Sequence, residues 1–251
     1  MVTSIVTPKQ LEILILLYRF RFLNRSQLQT LLNHKEPRRI KTWLKDLTDK
    51  KIIGRHYSTK FNENTKPAIY YLITKSKTLL IERPEVDPNA LKRVYREHMR
   101  SQRLIEHCIR LAKFYLQLKE QTKGKTLHFF TKTDLTTHDY FPYSHPDAYI
   151  AIKDGKKMKR YFFEIIDEGA PRFILRSKIK MYIEYFSENT WTTNTGHPFP
   201  KILLLCPNNQ IKDYLHKHIS LAMEEEVEVE IDFFLSNTDK VEWVNALAEE
   251  E

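Results

Sequence analysis

The chain has 251 residues, 41% of them hydrophobic and 12% aromatic, which is enough to bury the cores of about two ordinary domains. No apolar run approaches the roughly 18 residues that a membrane span needs, and the N-terminus lacks a basic region followed by an apolar stretch, so we expect a cytoplasmic protein with no secretory signal. Charge is unevenly spread. Residues 1–89 carry 17 Lys and Arg against 8 Asp and Glu, residues 90–217 carry 23 against 13, and residues 218–251 carry 1 against 11. Two basic blocks before an acidic tail point to a body that binds a polyanion. Cys108 and Cys206 stand too far apart for a zinc spacing and read as reduced, buried thiols.

Thr7 and Pro8 open the first predicted helix, Thr7 as N-cap and Pro8 at the first helical position. A second, short helix runs from an Asn24 cap to Leu32. A third begins at Pro37 and ends near Lys51, with Ile40, Trp43, Leu44 and Leu47 as its apolar stripe. That stripe is expected to pack against Ile13, Leu16 and Leu17 of the first helix. Arg38, Arg39, Lys41, Thr42 and Lys45 are left on the other face. Two β-rich runs follow, 52–57 and 68–73, joined by a polar basic loop over 58–66.

Three helices followed by a hairpin resemble the winged helix-turn-helix family over residues 7–80. The resemblance implies that the third helix enters the major groove of double-stranded DNA and that the hairpin tip meets the flanking backbone. It therefore assigns DNA contact to Arg38, Arg39, Lys41, Thr42 and Lys45, with Lys60 and Lys66 on the wing.

Pro84 and Pro88 mark a linker, and the domain boundary is placed near residue 88, giving domains 1–88 and 89–251. A long basic helix is expected from Ala90 to about Gln121, its stripe formed by Leu104, Ile105, Cys108, Leu111, Ala112 and Tyr115. A strand near 126–133 precedes a hairpin whose turn is Asp154-Gly155-Lys156-Lys157. Next come a helix over 171–186, a strand over 201–206, a helix over 209–223 and a strand over 227–235. Trp191 sits in a polar stretch, either exposed on a DNA-facing loop or anchoring it.

Pro146-Asp147 opens the first strand of the hairpin, and Glu164-Ile-Ile-Asp167 closes the second. Carboxylates on adjacent strands can converge on a hard divalent cation. The helix–strand–strand–strand–helix–strand order, with Asp147 and Glu164, resembles the restriction-endonuclease-like fold, written PD-(D/E)xK. The fold class expected is thus α/β: a winged helix-turn-helix followed by a mixed sheet flanked by helices. The family's lysine, two residues after the acid, is replaced by Ile166, and Lys178 on the following helix is the candidate substitute. The resemblance implies Asp147, Glu164 and Lys178 as catalytic residues, and Asp147, Glu164 and Asp167 as ligands of Mg²⁺ or Mn²⁺ if the site is catalytic. Strand alternation sets Glu164 and Asp167 on opposite faces unless a bulge at Ile165-Ile166 intervenes.

Taken whole, the chain resembles the replication-relaxation family of plasmids and mobile elements. The residues carrying this are Tyr70-Tyr-Leu-Ile-Thr74, His98, Pro146-Asp147, Phe163-Glu through Asp167-Glu-Gly169, the Lys178-x-x-x-Tyr182-x-x-Tyr185 helix and the strand at 201–207. The family more often spaces its strand acids as Glu-x-Asp, where this chain has Glu-x-x-Asp. The resemblance implies a role in replication, relaxation or transfer, with double-stranded DNA and other replication or transfer proteins as partners. Three functional classes stay open: a DNA-binding protein whose nuclease-like domain does not cut, a metal-dependent endonuclease, and an interaction adaptor within a nucleoprotein complex.

Overall fold

The computed structural model describes residues 6–57, 67–226 and 229–247. Lys60 and Lys66, expected on the wing, lie outside the described residues. The chain divides into two compact units, Met1–Gln121 and Thr122–Glu251. No helix among the described residues is long and apolar enough to cross a membrane.

The first unit opens with α1 (Pro8–Phe20), then β1 (Leu23–Asn24), α2 (Arg25–Leu31) and α3 (Pro37–Asp49). Two helix starts are sealed by capping boxes. Thr7 Oγ1 accepts from the Gln10 N–H at 3.3 Å while Gln10 Oε1 accepts from the Thr7 N–H at 2.8 Å, and Asn24 and Gln27 repeat the arrangement on α2. Helix α3 buries Ile40, Leu44 and Leu47, and α1 buries Ile13, Leu14 and Leu17. Gln10 Nε2 donates to Asp46 Oδ2 at 2.6 Å, tying α1 to α3.

Two packing expectations are corrected here. Leu14, rather than Leu16, joins Ile13 and Leu17 on the buried face of α1, and Trp43 is only half-buried, resting edge-on against His34 with ring centroids 5.1 Å apart. Of the four stripe residues, Ile40, Leu44 and Leu47 are fully buried and Trp43 lies at their edge. Leu44→Ala should therefore cost about 2–5 kcal/mol of unfolding free energy, and Trp43→Ala less than the about 3–5 kcal/mol of a fully buried aromatic. Urea unfolding of both variants checks the order; a larger loss at Trp43 would contradict this packing.

The wing is antiparallel: β2 (Ile53–His56) pairs with β3 (Ile69–Leu72), and β1 adds to the far edge of β3. Two short helices follow, α4 (Lys77–Leu80) and α5 (Pro88–Leu91), the latter capped by Asp87. The long helix expected from Ala90 begins only at Gln102, as α6 (Gln102–Gln121), because the chain turns through a left-handed Arg96 (φ 52°) and a 3₁₀ turn at Glu97–Met99. Helix α6 belongs to the first unit. Gln27 Nε2 donates to the Ile109 carbonyl at 2.8 Å, Phe20 and Tyr115 lie 5.6 Å apart, and Ile105 and Cys108 close a cluster with Phe22 and Tyr71. The boundary thus falls after Gln121 and not near 88.

The second unit is a six-stranded mixed sheet in the order β4 (Thr126–Thr131), β5 (Ala148–Asp154), β6 (Lys157–Ile165), β7 (Lys201–Cys206), β8 (Phe233–Asn237) and β9 (Val244–Asn245). Strands β4 to β6 are antiparallel, β6 to β8 parallel, and β9 antiparallel to β8. The β5–β6 turn has Gly155 at φ 58°, the positive φ that a two-residue hairpin turn requires. Helices α7 (Arg172–Ser187), α8 (Thr190–Thr195) and α9 (Asn209–Glu225) complete the unit. The strand expected over 227–235 forms later, at β8, and part of that range, residues 227–228, lies outside the described residues.

The core gathers Phe141, Phe162, Tyr182, Tyr185 and Trp191 with apolar residues of β7, β8 and α9. Trp191 is an anchor: it is buried, donates from Nε1 to the Pro198 carbonyl at 3.0 Å, and meets Phe162 edge-on. Cys108 and Cys206 are buried thiols outside any disulfide, and burial pushes the Cys206 thiol up to about 12.

Candidate DNA interface and acidic site

On α3 the positions facing away from Ile40, Leu44 and Leu47 are Arg38, Arg39, Lys41, Thr42 and Lys45, and all five are exposed. Their local pairings are weak. Arg39 Nε is 4.0 Å from Glu36, Lys45 Nζ is 2.6 Å from Asp49, and Thr42 Oγ1 donates back to the Arg38 carbonyl at 3.1 Å. Exposed pairs of this kind contribute little, so the cations are available to a phosphate. Hydrogen bonding and charge from Asp49 hold the Lys45 ammonium above its ordinary value, so it stays protonated.

Helix α3 and the wing together shape a groove of about 700 Å³, lined by Lys41 and Lys45 on one side and Arg55, Tyr57 and Tyr70 on the other, with Arg25 from α2. The Arg55 guanidinium lies 5.3 Å over the Tyr57 ring. Arg25, Arg55 and Tyr57 were not singled out from the sequence. The alternation of Arg55, His56 and Tyr57 at the end of β2 was the available signal, since it sends Arg55 and Tyr57 to one face.

In the second unit the sheet register builds the acidic site. Ala148 pairs with Phe163, so one step further Asp147 stands opposite Glu164. Asp147 Oδ2 accepts the Ile165 N–H at 2.8 Å, which fixes the carboxylate at the mouth of β5. Phe162, Glu164 and Ile166 share the face of β6 that packs toward α7, where Phe162 stacks on Tyr182. Glu164 is only 1% exposed. Both its oxygens are engaged: Lys178 Nζ contacts Oε2 at 2.6 Å, and the Tyr182 hydroxyl donates to Oε1 at 2.8 Å. Lys178 and Tyr182 are four apart on α7 and so point to one side.

Burial pushes the Glu164 carboxyl upward, opposed by the Lys178 ammonium and reinforced by Asp147. Burial alone would lower Lys178, but the charges of Glu164, Asp147 and Asp167 outweigh it and hold the ammonium above its ordinary value. A 2.6 Å contact between a retained ammonium and a carboxylate is an ion pair. Burial and then the Glu164 anion raise the Tyr182 phenol well above its ordinary value, so it remains a donor.

Asp147, Glu164 and Lys178 therefore meet. Asp167 acts on Lys178 through its charge but lies past the end of β6. The bulge that would turn it beside Glu164 is not formed: β6 runs in register with β7 through Ile165, and the Ile166 N–H continues to the Leu205 carbonyl. Ile166 is buried in the core, so a lysine at that position would have no route to solvent. Among the described residues, no group of three or more His, Cys, Asp and Glu is arranged to hold a metal ion. Because Lys178 and Tyr182 occupy both Glu164 oxygens, Asp147, Glu164 and Asp167 do not fit Mg²⁺ or Mn²⁺ as placed. Tyr182, named from the sequence only as part of the Lys178-x-x-x-Tyr182-x-x-Tyr185 helix, is the second donor to Glu164.

The family model described as Replication-relaxation matches residues 14–202. Two solved structures are similar in part. A MepR-like protein complexed with pseudoligands shares 18% identity over 47% of this chain and 78% of its own, at a TM-score of 0.27. The restriction endonuclease FokI bound to DNA shares 11% identity over 95% of this chain and 45% of its own, at a TM-score of 0.30. No curated protein matches the chain. At these TM-scores the functional reading rests on the chain's own geometry and its family.

Proposed function

The chain belongs to the replication-relaxation family, and on that premise we propose that it is a double-stranded DNA-binding protein of a plasmid or mobile element, acting in the cytoplasm in replication, relaxation or transfer. In this reading DNA is contacted by Arg38, Arg39, Lys41, Thr42 and Lys45 of α3, and Lys60 and Lys66 are further proposed contacts. The second unit is a nuclease-like scaffold that supports binding and assembly without cutting. The observation that carries the first half is the α3 face: five polar or basic side chains, all exposed, beside a basic groove. For the second half it is Glu164, buried and satisfied by Lys178 and Tyr182.

Fluorescence anisotropy of a labelled duplex against full-length protein, across a salt series, tests the binding. A protein neutralising about 5 phosphates should show a log–log slope near −4 to −5. A slope near zero would contradict backbone contact by the basic face. One observation favours a second reading, a metal-dependent endonuclease: Asp147, Glu164 and Lys178 converge as that activity requires, although a cation would first have to displace Lys178 from Glu164.

A further inference from the structure

The wing sheet has two faces, and the one turned away from the α3 groove carries a basic surface of its own. Arg55, Tyr57 and Tyr70 line the groove. The intervening His56 and the adjacent Tyr71 point the other way, where their rings meet 4.6 Å apart and Phe22, Ile105 and Cys108 pack. The 3₁₀ turn at Glu97–Met99 lies on this second face, since the charge of His98 and the backbone of Glu97 both act on His56.

Around that turn, residues 92–103 hold Lys92, Arg93, Arg96, Arg100 and Arg103 against a single acid, Glu97. Glu97 is buried, gripped by Arg21 Nη2 at 3.0 and 3.1 Å and by Arg100 Nε at 3.3 Å. Its charge is thus satisfied internally. Lys92, Arg93 and Arg96 are exposed and form no ion pair among the described residues. Arg96 is held in the left-handed region (φ 52°, ψ 37°), a strained backbone for a residue with a side chain, and its guanidinium sits 5.0 Å over the Tyr95 ring. Tyr95 is 56% and Met99 67% exposed, so large apolar groups stand in water among the cations.

We infer that residues 92–103 form a second nucleic-acid surface, on the face of the wing sheet opposite the α3 groove, that takes single-stranded DNA. Duplex backbone needs only cations. An exposed ring interleaved with arginines suits unstacked bases, whose faces lie on the ring while their phosphates meet the guanidinia. The Arg21–Glu97–Arg100 cluster, built on the buried Glu97 carboxylate and with Arg100 Nη2 donating to the Tyr95 carbonyl at 3.4 Å, holds the surface in place before the strand arrives. A protein with duplex on one face and single strand on the other would sit at the edge of an opened duplex.

The test uses full-length protein, a fluorescent oligothymidylate of about 20 nucleotides and a labelled duplex, read by anisotropy. Three variants are compared with the parent: Arg93→Ser with Tyr95→Ser and Arg96→Gly, Tyr95→Phe alone, and the α3 triple alanine at Arg38, Arg39 and Lys41. Glycine at 96 keeps the left-handed backbone without strain, so the first variant should fold. It should bind the single strand about tenfold or more weakly and the duplex within about twofold of the parent. Tyr95→Phe should bind both as the parent does, and the α3 variant should lose duplex while keeping the strand. If the multiple variant unfolds, Tyr95→Ser against Tyr95→Phe carries the test, with about a fivefold loss of strand affinity expected only for serine. The inference is overturned by a parent that does not bind the strand, by equal loss of both ligands in the 93/95/96 variant, or by displacement of the strand by charge-matched polyglutamate, which would mark the surface as an acidic-peptide site. An α3 variant that keeps its duplex affinity would count against the function proposed above and leave this surface standing.

Discussion

Replacing Lys178 with alanine should destabilise the second unit by about 3–5 kcal/mol, the usual cost of leaving one partner of a buried ion pair uncompensated. Glu164 is 1% exposed and cannot recover water when the ammonium is removed. Removing both charges together, as Glu164→Gln with Lys178→Met, should restore part of that loss, because no buried charge is left uncompensated while the new Gln amide keeps a desolvation cost. Tyr182→Phe should cost less, about 1–3 kcal/mol, since it removes one donor to a charged acceptor and leaves the ammonium. Both Glu164 and Lys178 hold their protons more tightly folded than unfolded. Each contribution is therefore full below the unfolded value, 4.5 for Glu164 and 10.5 for Lys178, and is lost as pH rises through the higher folded value. At neutral pH it is the Lys178 contribution that operates. Urea unfolding followed by the signal of Trp191 and Trp243, with Trp43 replaced by phenylalanine, reads the series. A Lys178→Ala cost below about 1 kcal/mol would contradict the buried pair.

The second large effect belongs to DNA. Alanine at Arg38, Arg39 and Lys41 together should weaken duplex binding by roughly a hundredfold or more and make the log–log salt slope shallower by about 3. All three side chains are exposed, so the unfolding free energy should stay within about 0.5 kcal/mol of the parent. Anisotropy and urea unfolding on the same preparation separate the two. A folded variant that binds like the parent would remove α3 from the interface.

Much of this arrangement is legible in the residues. Thr7-Pro8 and Asn24 start helices where the sequence places them, because N-cap chemistry is local. The Asp147–Glu164 pairing follows from two alternating runs and a glycine turn, since a tight hairpin leaves little choice of register. What was missed depends on partners distant in sequence. Trp43 lies at the edge of an apolar stripe centred on Ile40, Leu44 and Leu47, and only the neighbouring helices decide how much of that edge is covered. Asp87-Pro88 reads as a linker but caps a short helix whose Ala90 and Leu91 are buried in the first unit. The stripe of α6 declares an apolar face without saying which unit it meets, and Ile105 and Cys108 turn out to meet the wing. The commitment of Glu164 to Lys178 and Tyr182 needed the packing of α7 over β6, although the i, i+4 spacing of the two donors was visible.

Incubation of supercoiled plasmid with the full-length protein and Mg²⁺ or Mn²⁺, beside Asp147→Ala and Lys178→Ala, decides whether the second unit binds DNA without cutting it. The parent should shift the plasmid on a gel and leave it supercoiled with either metal. Nicking by the parent that both variants lose would contradict binding without cutting, and would show that a cation displaces Lys178 from Glu164 to assemble an endonuclease site.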